Sequence, residues 1–118
     1  MSQKKIKTSV IESKSFGLYE ACIFVTGVNP KISPPAYSFY GEVIQTLRNN
    51  NEKELADFLC KAQQLFYATM CMTGEPLTVT YELLTHGRLT IRVKGYDCDE
   101  LLRLTEMMKS DFNDIVQA

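Results

Sequence analysis

Asp97-Cys98-Asp99-Glu100 sets three carboxylates and a thiol side by side. Clustered in this way, such residues can ligate a divalent cation or supply a carboxylate pair for acid–base chemistry. The same four residues also make a well-formed helix start. Asp97 serves as the cap, and Asp99 and Glu100 complement the positive end of the dipole. That role explains every acid in the group without a ligand, and it is the one the sequence favours. His86 is the sole histidine. A nucleophile–base pair would need it held beside a cysteine or serine, yet it falls at a hairpin tip, which is solvated and poorly preorganised. It reads as a turn residue, with a pH-sensitive contact as its alternative.

Cys22, Cys60, Cys71 and Cys98 include no C-x-x-C pair. They read as reduced, mostly buried thiols acting as small hydrophobes. A zinc site would need clustered thiolate and imidazole ligands, and a pair of disulfides would need an exported protein. The six glycines are scattered, with neither G-x-G-x-x-G nor a Walker loop, and no H-E-x-x-H or calcium-loop pattern appears. No catalytic residue, metal or cofactor is expected, and the chain does not read as an enzyme.

The elements that must position any site are clearer. Leu77, Val79, Tyr81 and Leu83 alternate with Thr78, Thr80, Glu82 and Leu84, and Leu89, Ile91 and Val93 alternate with Arg88, Thr90, Arg92 and Lys94. A two-residue loop would set apolar residues opposite polar ones. A three-residue loop, Thr85-His86-Gly87, pairs Leu83 with Leu89, Tyr81 with Ile91 and Val79 with Val93. That loop wants positive φ near its end, which Gly87 supplies. The opposite face of the hairpin is then polar and net basic.

Residues 4–13 read as an edge strand whose lysines discourage further pairing. Lys14-Ser15-Phe16-Gly17 is a turn, and residues 18–27, with Ala21-Cys22-Ile23-Phe24-Val25, read as a central strand. Val28 to Pro35 is a loop stiffened by Pro30, Pro34 and Pro35. Over 37–47 two patterns compete. Tyr40, Val43, Ile44 and Leu47 share a helical face, while Tyr37, Phe39, Gly41 and Val43 share a strand face. The composition favours the strand.

A helix is predicted from 52 to about 72, capped by Asn51 with Glu54 completing a box-like arrangement. Leu55, Phe58, Leu59, Ala62, Leu65, Phe66, Thr69 and Met70 make its apolar stripe, and Gly74 and Pro76 stop it. The last helix starts at the Asp97 cap and buries Leu101, Leu104, Met108, Phe112 and Ile115. The methionines Met70, Met72, Met107 and Met108 at the helix ends read as core filling rather than a binding groove. The expected fold is α+β, over a single domain, 1–118. A single antiparallel sheet of about five strands carries two amphipathic helices packed on one face, in the order β-β-β-α-β-β-α.

The chain has 118 residues, 45% hydrophobic and 23% charged, enough to bury a core without a staple. Its net charge of −1 makes no overall case for nucleic acid or an anionic membrane. No apolar run approaches the ~20 residues that span a bilayer. The N-terminus has basic residues but no apolar region to follow them. The expected compartment is the cytoplasm, with no membrane and no nucleic acid as partner. Single-stranded nucleic acid on the basic hairpin face would want stacking platforms, which that face lacks.

Charge is unevenly spread. Lys4, Lys5, Lys7 and Lys14 make the first strand basic, whereas Asp97 to Asp114 holds six acidic residues against Arg103 and Lys109. This suits an electrostatically steered protein partner. In size and order of elements the chain resembles the small immunity and antitoxin proteins of bacterial toxin systems. That resemblance implies a non-catalytic inhibitor that neutralises a cognate toxin by charge and shape complementarity, as a monomer or homodimer. The partner surface would be the acidic stretch, through Asp97, Asp99, Glu100, Glu106, Asp111 and Asp114, or the loop ending at Tyr37 and Tyr40. The alternatives are a dimeric secretion or assembly chaperone, and a small ligand-binding domain or enzyme with a pocket between sheet and helices.

Overall fold

Alternation of apolar and polar residues builds the sheet. The structure, a computed structural model, describes residues 4–13, 17–28, 36–37, 39–84 and 87–117, with the backbone alone at 36, 37 and 84. The elements are β1 (Lys5–Glu12), β2 (Tyr19–Thr26), β3 (Ala36–Tyr37), α1 (Tyr40–Asn49), α2 (Lys53–Thr73), β4 (Thr78–Leu84), β5 (Arg88–Gly95) and α3 (Cys98–Ile115). The strands form one antiparallel sheet in the order β1-β2-β5-β4-β3, with β3 only two residues long. The residues of the expected turn at 14–16, the loop at 29–35, and Thr85 and His86 lie outside the described residues.

The hairpin register is the one its alternation dictates: Leu83↔Leu89, Tyr81↔Ile91 and Val79↔Val93. Gly87 adopts φ +87°, and a Cβ there would sit 2.8 Å from the Val28 carbonyl oxygen. Only glycine permits both the turn and this approach. Val28 N–H donates to the Gly87 carbonyl (3.1 Å), so the end of β2 is tied to the hairpin tip.

On the helix side, Ile23, Val25, Leu83, Leu89 and Ile91 are fully buried. α3 covers β1, β2 and β5; α1 covers β3 and β4; α2 lies between and packs on both helices. Phe58 and Phe112 meet edge-to-face at 5.5 Å between α2 and α3, a geometry that suits the ring quadrupoles.

Residues 40–49 are helix, which corrects the strand favoured by composition and adds a third helix to the expected two. Tyr, Val, Ile and Thr raise β propensity only weakly, and packing overrides it. As a helix, the segment buries Val43 and Leu47 completely and brings Tyr40 and Ile44 against the core. The start of α2 also differs from expectation. Its N-cap is Glu52, not Asn51. Asn51 takes φ +61°, a conformation asparagine tolerates better than most residues. It thereby lets Glu52 N–H turn back to the Leu47 carbonyl at 2.9 Å. Glu52 is buried and pairs with Lys4 at 2.9 Å, pinning the α1–α2 corner to the start of β1. The other end of α2 is as expected, with Gly74 at φ +71°.

Candidate functional site

Asp97 caps α3, its carboxylate accepting from the Asp99 and Glu100 amides at 3.0 and 3.3 Å. The acids that follow occupy different places. Glu100 pairs with Arg103 one turn on, and Glu106 with Lys109 at 3.2 Å. Asp111 turns toward α2 and pairs with Lys61 at 3.2 Å. Asp99 and Asp114 are exposed. The helix start therefore accounts for Asp97, while Glu106 and Asp114 lie on the outer side of α3 and Asp111 on its rim toward α2. Within α3 itself five acidic residues stand against two basic ones, a net −3.

Between α2 and α3 lies a shallow groove of ≈ 370 Å³ lined by Lys61, Gln64, Leu65, Ala68, Met107 and Asp111. The Lys61–Asp111 pair closes one end. Met107 is 43% exposed, and Met72 near the end of α2 is 73% exposed. Core filling thus describes Met108, which is buried, but not Met72 or Met107. Flexible, polarizable methionine is a common lining of protein-binding surfaces.

The second expected contact region lies elsewhere. Tyr37 falls in β3, with its side chain outside the described residues. Tyr40 opens α1, and its ring packs on Tyr81, centroids 5.7 Å apart. Burial, with Cys60 and Tyr67 close by, pushes the Tyr40 phenol above its usual value. Burial raises Tyr81 as well, and its hydroxyl donates to Gln63 of α2. Exposed Phe39 and Tyr67 lie on this side too, near Tyr40 in sequence and in charge interaction respectively. α1 sits over β3 and β4 and α3 over the other edge, so the structure does not bring Tyr40 and the α3 acids together.

A third surface is the side of the sheet away from the helices. The pairing registers place Lys7, Phe24, Thr90 and Glu82 in one row across four strands. Ser9, Cys22, Arg92 and Thr80 form the next, then Ile11, Glu20, Lys94 and Thr78. With Lys5 and Arg88 this face holds five basic residues and two acidic ones, a net +3. The Arg88 guanidinium lies over the Phe24 ring, 5.3 Å from its centroid. Thr90 is 1% exposed, and its hydroxyl finds no hydrogen-bond partner among the described residues. Cys22 is buried in this face. Burial and the Glu20 carboxylate push its thiol pKa up against the pull of Arg92, which leaves it a poor nucleophile.

The polar face expected of the hairpin alone extends across β2 to take in Glu20, Cys22 and Phe24. The missing signal was parity. These three alternate with Ala21, Ile23 and Val25, but the near-continuous apolar run conceals the alternation. All four cysteines are free thiols, Cys22 buried and Cys71 exposed, so burial is less general than expected. Among the described residues no group of three or more His, Cys, Asp or Glu is placed to hold a metal ion. No helix among them is long and apolar enough to cross a membrane. Comparison with protein-family models, curated proteins and solved structures finds no significant match to this chain.

Proposed function

We propose that this chain is a non-catalytic protein-binding domain that receives a basic partner on its α2–α3 face, as an immunity-type inhibitor would receive a toxin. The supporting observation is the groove itself: exposed Met107 and half-buried Leu65 between the helices, bordered by Asp111 and the acidic outer side of α3. Apolar centres with charged rims are the usual anatomy of a protein interface. A net negative helix steers a positively charged partner and fixes its orientation. The partner would place an apolar side chain beside Met107 and basic residues against Glu106, Asp111 and Asp114.

The test is retention of a partner from native lysate by the full chain and by an E106K/D111K/D114K variant. Circular dichroism confirms the fold of both. A single stoichiometric partner lost on charge reversal, and weakened by salt, supports the reading. A toxin domain in that partner, with its activity blocked by the chain, establishes the inhibitor. Retention unchanged by charge reversal, or no retained protein, overturns it. The dimeric chaperone reading draws on a different observation, the exposure of Phe39 and Tyr67 on the α1 side. A concentration-dependent dimer abolished by Tyr67→Ser would favour that reading.

A further inference from the structure

On the open side of the sheet, Arg92 and Lys94 are two residues apart on β5 and so project from the same face, about 7 Å apart along the strand. Thr80 and Thr78 lie directly opposite them on β4, and Glu20 lies opposite Lys94 on β2. These five side chains line a partly open cavity of ≈ 150 Å³, whose wall is largely the hydrocarbon of these polar side chains. Its contents are two cations, two hydroxyls and one carboxylate. Arg92 Nε stands 3.8 Å from a Glu20 oxygen, and its side chain also interacts with the Cys22 thiol. Lys94 has no ion-pair partner among the described residues. Two cationic and two hydroxyl-bearing side chains thus border a single concavity.

We propose that this cavity is a binding site for a small phosphate monoester that carries a neighbouring hydroxyl, such as a sugar phosphate. Arginine presents a planar fork that matches phosphate oxygens, and lysine adds a point charge. The Thr78 and Thr80 hydroxyls donate to the remaining oxygens. Glu20 disfavours a bare anion, because its carboxylate lies beside the cations, 3.8 Å from Arg92 Nε, and only accepts hydrogen bonds. A ligand hydroxyl satisfies it while the phosphate takes the cations. The cavity is smaller than the roughly 300–1,000 Å³ of sites for drug-sized ligands. It therefore suits the phosphate and the adjoining atoms rather than a whole large cofactor. This site lies on the other side of the sheet from the α2–α3 groove, so it is independent of the protein-binding reading.

The experiment is a titration of the full chain with ribose 5-phosphate, followed by backbone amide shifts and calorimetry, with inorganic phosphate and a single-stranded oligonucleotide as separate arms. Saturable shifts confined to residues 20, 78–80 and 92–94 are expected. Arg92→Gln should weaken binding about tenfold or more, as loss of a charge-assisted bidentate contact does. Thr80→Val, on an exposed strand position, should weaken it less. Lys61→Gln, on the helix side, should leave it unchanged. Glu20→Gln should bring inorganic phosphate closer to ribose 5-phosphate in affinity. Absence of saturable binding at millimolar ligand overturns the proposal. Equal weakening by Lys61→Gln, or binding of the oligonucleotide alone through Lys7 and Arg88, overturns it as well.

Discussion

On the open side of the sheet Lys5, Lys7, Arg88, Arg92 and Lys94 outnumber Glu20 and Glu82. On α3, Asp99, Glu100, Glu106, Asp111 and Asp114 outnumber Arg103 and Lys109. The first surface stands at +3 and the second at −3, in a chain whose total is −1. Whole-chain charge averages the two away, and with it the information about partners. The surfaces also hold their charges differently. On α3 most acids are answered within a turn or by the neighbouring helix, so the helix offers a graded field. On the sheet, the Cβ atoms of cross-strand neighbours are fixed about 4.5–5.5 Å apart, so the backbone sets where these charged side chains are rooted. On the two proposals made above, the helical face steers a large partner and the sheet face grips a small group.

The sharpest way to break this contrast uses two consecutive residues. Ile91 faces the helices at 0% exposure and Arg92 faces the open side. Ile91→Ala should cost about 2–5 kcal/mol in chemical denaturation, and Arg92→Ala within about 0.5 kcal/mol. Similar costs would mean that the open side is covered in the folded protein and that the two-sided description is wrong.

Alkaline titration gives a smaller effect. The Tyr81 phenol, buried on the helix side, resists ionisation when folded but ionises near the ordinary value of about 10 when unfolded. Above that pH the unfolded chain has released more protons than the folded one, so stability falls as pH rises. The slope is at most about 1.4 kcal/mol per pH unit for this one group. The loss continues until pH passes the folded-state value. Tyrosinate absorbance should appear together with unfolding for Tyr81. Ionisation of Tyr81 in the intact fold would contradict its burial. The smallest effect belongs to Thr90→Val, which removes a buried hydroxyl with no hydrogen-bond partner among the described residues. It should be neutral or stabilising by up to about 1 kcal/mol. A clear loss of stability would show that the hydroxyl is satisfied on the open side.

What could be read in advance follows the range of the signals. The β4–β5 register is local, set by strict period-2 alternation and a glycine at the tip, and it was readable residue by residue. So was the Asp97 cap, because capping needs only the next three residues. Residues 37–47 were not readable, because a stretch of Tyr, Phe, Val and Ile satisfies both periods and the neighbours decide. Val43 and Leu47 are buried only once α2 and the sheet edge are in place. The Asn51 cap was misplaced for the same reason, since its left-handed conformation serves the corner between two helices rather than the start of one. Of the candidate surfaces, the acids of α3 were visible, but the groove beside them required knowing which side of α2 they meet. The sheet cavity depends on β2 lying against β5, and no local pattern announces which distant strands will pair.

That β2–β5 seam also bears on how the chain finds its fold. β1–β2 and β4–β5 are each joined by a short connection and can zip early. The seam joins them only after the segment holding β3, α1, α2 and β4 has been gathered between its two halves. Closing so long a loop costs entropy before any contact rewards it, and such non-local pairing slows folding. The middle of the sheet, where Ile23 and Ile91 are fully buried, is thus the part expected to form last and to set the folding rate.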